Sequence, residues 1–232
     1  MIVGVSWSFT PDEFAHVWRG HELDRHPFPL RIRESPRTAE DAAALRRTLA
    51  ARLPAGADPD LSACLRILAR PASRIVTVGG GHTPGSEIRA LGAVVHDHAV
   101  LAVQEPNTVG RVDISIGHTN RLGARIVALL PDTPAGAEPA HSAPAGAVRD
   151  DAPSNSPTAP RIRRLLLRPH TAEGHVRVET GLDTEDPEPP AHYAWIDVEG
   201  DGRYLIRAGR DVHVAPTTAQ QLARHLTTRL GR

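Results

Sequence analysis

The sequence predicts an α+β protein in which a ββββα unit occurs twice, and three observations carry that prediction. Strand-length apolar segments at Arg74–Val78, Glu87–Val95, Ala99–Gln104 and Gly110–Ile116 are followed by a helical pattern with Leu122, Ile126 and Leu130 in register. A second series of strands after residue 170 closes on Leu222, Leu226 and Leu230 with the same spacing. The two series share an offset of one hundred residues: Val76 and Val78 match Val176 and Val178, and Val112 and Ile114 match Val212 and Val214. "LRILARP" (Leu65–Pro71) is echoed by "RRLLLRP" (Arg163–Pro169) ahead of each series, outside that offset.

Taken in order, Val3, Val5, Trp7 and Phe9 alternate with small residues and predict a first strand. "TPDEFAHVW" then opens a helix: Thr10 caps, Pro11 fits the first turn, Glu13 completes a capping box, and Phe14, Val17 and Trp18 form its apolar stripe. "HPFPLRI" is an extended connector, because its prolines exclude helix. A second helix runs from the Thr38 cap to about Leu53, and a third from the Asp58 cap to "ARP". The division is therefore 1–71 for the N-terminal strand and helices and 72–130 for the first ββββα half. Residues 131–160 are rich in proline, alanine and small polar residues, with Val148 as the one sizeable apolar side chain, and read as a flexible linker. Residues 161–232 are the second half.

Composition narrows the function. The 232 residues carry 27 basic and 27 acidic side chains, all of the basic ones arginine, so the positive excess of a nucleic-acid binder is missing. The start lacks a basic, apolar leader and no segment approaches a membrane span, which predicts a cytoplasmic protein without membrane insertion. The single cysteine, Cys64, excludes an internal disulfide, and its spacing with Leu61, Leu65 and Leu68 places it in a packed helix face.

Three features could hide chemistry. "RIVTVGGGHTPGSE" (Arg74–Glu87) resembles a phosphate loop, but the third glycine of G-x-G-x-x-G falls on Pro84 and a strand is expected to follow. Its counterpart, "TGLDTEDPEPP", is acidic, so both segments read as turns between strands. His96 and His98 flank Asp97 at i and i+2, yet the flanking strands place Asp97 at a hairpin tip and no third ligand is local, so no metal is assigned. No G-x-S-x-G elbow is present, and Asp113, Asp197 and Asp211 read as solvated residues or partners of arginine. Neither an enzyme nor a cofactor is predicted. Tyr193 and Trp195 share one strand face, and Tyr204 shares one with Ile206. They read first as residues packing the sheet and second as a partner-binding surface.

In order and spacing, "FTPDEFAHVW", "HPFPLRI", "DPDLSACLRILARP", "VLAVQ", "LGARIVALLP" and "YAWIDVEGDGRYLIRAGRDVHVAPTTAQQLARHL" resemble the EspG family of type VII (ESX) secretion-associated proteins of actinobacteria. "ESPRT" (Glu34–Thr38) departs from the family in lacking a glycine before the threonine, and the linker is long for it. The resemblance implies a quasi-twofold α+β fold with a central antiparallel sheet and flanking helices. It also implies a cytosolic, non-catalytic chaperone that caps the apolar tip of PE–PPE heterodimers, or of PPE-like or WXG100-like helical substrates, and delivers them to the secretion machinery. Tyr193, Trp195 and Tyr204 are the candidate contact residues. The alternative is a scaffolding subunit of the secretion apparatus.

Overall fold

The computed structural model describes residues 5–21, 25–106, 110–149 and 155–231. Ten strands form one antiparallel sheet: β1 (Ser6–Phe9), β2 (Ser73–Gly81), β3 (Ile88–Val95), β4 (His98–Gln104), β5 (Val112–His118), β6 (His141–Pro144), β7 (His170–Glu179), β8 (Ala191–Val198), β9 (Arg203–Ala208) and β10 (Asp211–Pro216). Their order across the sheet is β1-β5-β4-β3-β2-β7-β8-β9-β10-β6. Among the described residues seven helices surround it: α1 (Pro11–Arg19), α2 (Ala39–Arg52), α3 (Pro59–Ala69), α4 (Thr119–Val127), α5 (Ala145–Arg149), α6 (Ala159–Leu166) and α7 (Ala219–Leu230).

The helix starts follow from their caps. Thr10 accepts from the Glu13 amide while the Glu13 carboxylate accepts from the Thr10 amide, and Thr218 and Gln221 repeat the arrangement in α7. Thr38 and Asp58 cap α2 and α3 singly, each such cap contributing about 1 kcal/mol. α2 has one buried residue, Leu49; it packs on α1, and Arg52 reaches the Glu13 carboxylate.

Strand alternation sends side chains to two faces. On one face Ile75, Ala90, Leu101, Val176, Tyr193 and Trp195 pack beneath α4 and α7, whose Leu122, Ile126, Leu222 and Leu226 point inward. Gly123 lets the two helices touch, since a Cβ there would lie 2.4 Å from the Ala223 carbonyl oxygen. The opposite face carries two separate clusters. Val76, Leu91, Val100 and Ile114 pack with Phe14, Trp18 and Leu65 of α1 and α3. Ile196, Tyr204, Val212 and Val214 pack with Val148 of α5 and with Ile162 and Leu165 of α6.

The order of elements repeats: β2–β5 with α4, then β7–β10 with α7, joined where β2 pairs antiparallel with β7. The residue-for-residue offset of one hundred holds in part. Val112 and Ile114, like Val212 and Val214, face the side of α3 and α6, and the two leucine-rich helices occupy equivalent places. At the seam it fails. Val76 faces α3, whereas Val176 and Val178, which pair with Thr77 and Ile75, face α4 and α7. A shift of one residue exchanges the faces of a strand, so Val76 and Val78 are not the counterparts of Val176 and Val178.

The stretch 131–160 also differs from the flexible linker expected of it. The Arg203 amide donates to the Pro134 carbonyl at 2.7 Å and the Gly136 amide to the Arg203 carbonyl at 3.1 Å, tying the chain to the start of β9. Beyond this strap, β6 pairs with β10, and Ala143, Ala145 and Val148 are buried. α6 already begins at Ala159. Proline leaves few amides to satisfy, and alanine fits where larger side chains would not; composition alone undervalues both. Residues 150–154 of the expected linker lie outside the described part.

Candidate partner-binding face

Between the α1/α3 lobe and the α5/α6 lobe the middle of the sheet is uncovered. Cross-strand pairing sets its floor: Arg89, Val78, His175, Ala194 and Ile206 lie in one row across β3, β2, β7, β8 and β9. Arg177 and His192 lie in the next row. The outward positions of β7 are Glu173, His175 and Arg177, exposed or half-buried, while the intervening Gly174 and Val176 are buried. A cavity of about 340 Å³ opens here, its lining including Val78, His82, Glu173, His175, Ala194 and Trp195.

Electrostatics fix one end of this trough. Glu179 accepts from the Arg74 guanidinium, the second contact at 3.1 Å, and lies 3.3 Å from the Arg177 Nε. The Arg74 hydrogen bonds outweigh burial and hold the Glu179 carboxyl below its ordinary value, with the charges of Arg74, Arg177 and His192 adding to the effect. The Arg177 guanidinium also sits 5.8 Å from the ring centre of Phe28, in the connector after α1. Phe28 is 63% exposed, which puts a large apolar side chain at the rim.

Of the three aromatic candidates, Trp195 lines this cavity while Tyr193 and Tyr204 do not, and all three are buried. Tyr193, Trp195 and Tyr204 are 5%, 0% and 0% exposed. Tyr193 meets His225 of α7 edge-on at 4.9 Å. The Trp195 ring lies under the Gly79–Gly174 pair, where a Cβ on either glycine would come within 3 Å of it. Tyr204 faces the other side, donating to the Asp201 Oδ2 at 2.9 Å and accepting from the Glu138 amide at 2.8 Å. Their bulk packs inside the protein, and the Tyr204 hydroxyl is held by Asp201 and Glu138. The residues missed were the floor positions; their signal was the polar alternation Glu173, His175, Arg177 on a strand central to the sheet.

The other suspected chemistry resolves into structure. Gly79–Gly81 continue β2 into a hairpin turn toward β3, and the glycines make room for Trp195 and for neighbouring backbone. His96 and Asp97 form the β3–β4 turn, with His98 opposite His118. Among the described residues no group of three or more His, Cys, Asp or Glu is placed to hold a metal ion. Burial, aided by Asp60 and Asp58, pushes the Cys64 thiol up to about 11. Among the described residues no helix is long and apolar enough to cross a membrane.

A wide antiparallel sheet with helices closing one face and an open trough on the other defines an α+β platform protein. Residues 10–228 match the EspG family, and the chain belongs to that family. Among solved structures it is similar to the Mycobacterium tuberculosis type VII secretion system chaperone EspG5, determined in complex with a PE25–PPE41 dimer. The TM-score is 0.64 at 17% identity, covering 97% of this chain and 95% of that chain. A search of curated proteins gives no match.

Proposed function

We propose that this protein is a non-catalytic chaperone of type VII secretion that binds a PE–PPE-like helical substrate, keeps it soluble and presents it to the secretion machinery. The observation that carries this reading is the family match over 10–228, which includes both halves of the sheet; the complex of the similar chaperone supplies the class of partner. The trough offers a physical means. Val78, Ala194 and Phe28 provide apolar contact, and Arg89, Glu173, His175 and Arg177 a polar surround, the mixture that protein interfaces use. Covering an exposed apolar tip removes an aggregation liability until export. The site of action is the cytosol, where such a substrate waits.

The test is co-expression with a PE–PPE-like pair encoded beside the gene, followed by size-exclusion chromatography. Co-elution as one complex is expected; separate elution of intact chaperone and substrate would contradict the reading. Recovery of apparatus components without substrate would point to the scaffolding alternative. Val78→Asp and Ala194→Arg are expected to weaken the complex at least tenfold without changing the fold. If the complex forms and ignores both changes, docking lies elsewhere and the chaperone reading stands.

A further inference from the structure

At the end of the sheet, a second cavity of about 460 Å³ opens where β8 begins, β9 ends and α7 finishes. Its lining includes His192, Tyr193, Arg207, His225, Thr228 and Arg229, and no carboxylate. In a chain whose 27 basic and 27 acidic residues cancel, that is a local concentration of positive charge. Arg207 is exposed, and among the described residues no side-chain hydrogen bond or ion pair engages it. Arg229 meets the half-exposed Glu188 only at 4.0 Å, the outer limit of an ion pair, and Glu188 also accepts from Thr180 at 3.5 Å. Both arginines stand on rigid elements: Arg207 on β9 in register with His213, and Arg229 on α7 between the buried Leu226 and Leu230. The Tyr193–His225 edge contact fixes the inner wall.

Two guanidinium groups without close partners, held by ordered backbone beside the hydroxyl of Thr228, form a donor set suited to an oxyanion. The volume exceeds what a bare anion needs and falls in the range of small-ligand sites. We propose that Arg207 and Arg229 form a binding site for an oxyanion, a phosphate or carboxylate group carried by a ligand, in the cavity between β8, β9 and α7.

The full chain is titrated by calorimetry at low salt with inorganic phosphate and, separately, with a tetraglutamate peptide. Saturable one-to-one binding of at least one probe is expected, at least tenfold weaker in Arg207→Ala and partly restored in Arg207→Lys. Added salt is expected to weaken it further. Binding of phosphate alone assigns the ligand group as phosphate, and binding of the peptide alone assigns it as carboxylate. Absence of saturable binding by either probe, or binding that Arg207→Ala leaves unchanged, overturns the proposal. Among the described residues Arg207 has no side-chain partner to lose, so its replacement is expected to leave the fold intact; Arg229→Ala in the same background is expected to abolish what binding remains.

Discussion

Asp197 and Arg203 face each other across the β8–β9 hairpin as a bidentate ion pair, Nε to Oδ1 and Nη2 to Oδ2 both at 2.7 Å, with neither side chain exposed. Thr133 donates to the same carboxylate at 2.9 Å, and Arg203 donates to the Pro131 carbonyl at 2.7 Å, so the strap after α4 is fastened to the pair. Removing the carboxylate strands a buried guanidinium. Asp197→Ala is expected to cost about 3–5 kcal/mol. The double variant Asp197→Leu/Arg203→Met is expected to cost less than that single change. Urea unfolding measures both, and a double loss equal to the sum of the single losses would show the two groups to be independent.

The glycine pair at the seam is sterically required. A Cβ on Gly174 would lie 2.4 Å from the Val78 carbonyl oxygen and 2.8 Å from Trp195, and one on Gly79 would lie 2.5 Å from the Glu173 carbonyl oxygen. Gly174→Ala is expected to destabilise by about 1–3 kcal/mol or more, as overpacking does. Gly146 in α5 has nothing within 4 Å of its virtual Cβ. There alanine is expected to be neutral or stabilising by up to ~1 kcal/mol, since it favours helix. Equal melting shifts for the two variants would refute the packing argument.

Much of this architecture was legible in the sequence because local chemistry decided it. The Thr10–Glu13 box and the Asp58 and Thr38 caps depend on neighbours only a few residues away. The buried faces of α4 and α7 were visible as leucine and isoleucine at every fourth position. What escaped was set by distant contacts. The strap at 131–136 is ordered by Arg203, some seventy residues on. The face of Val76 depends on its register with β7, which no local pattern states. Tyr193, Trp195 and Tyr204 read first as core and second as an interface, and the fold buries all three. The trough exists because two lobes stop short of each other, a relation between elements that no single segment encodes.

Acid should weaken the seam through Glu179. Its ordinary value is 4.5, and the Arg74 hydrogen bonds hold it lower in the folded protein. A depressed carboxyl contributes its stabilisation above the ordinary value and loses it as pH falls through the folded one. Unfolding free energy is therefore expected to drop on acidification below about 4.5, and Glu179→Gln to flatten that part of the curve. An unchanged acid limb in the variant would assign the loss to other carboxylates.

Cys64 should be inert while the protein is folded. With full burial and a thiol near 11, almost no thiolate is present at neutral pH. A thiol reagent is expected to label one equivalent in denaturant and almost none in native buffer. Rapid labelling of the native protein would mean that α3 opens readily.

The seam between the halves also shapes how the chain reaches this state. Within β2–β5 and within β7–β10 each strand pairs with the next in sequence. The β2–β7 junction instead brings together residues such as Arg74 and Glu179, 105 positions apart. Closing so long a loop carries an entropic cost that neighbouring strands escape, and high contact order slows folding. Pairing of β2 with β7, like that of β1 with β5, where Ser6 lies opposite Ser115, is therefore expected to lag behind closure of the consecutive strand pairs.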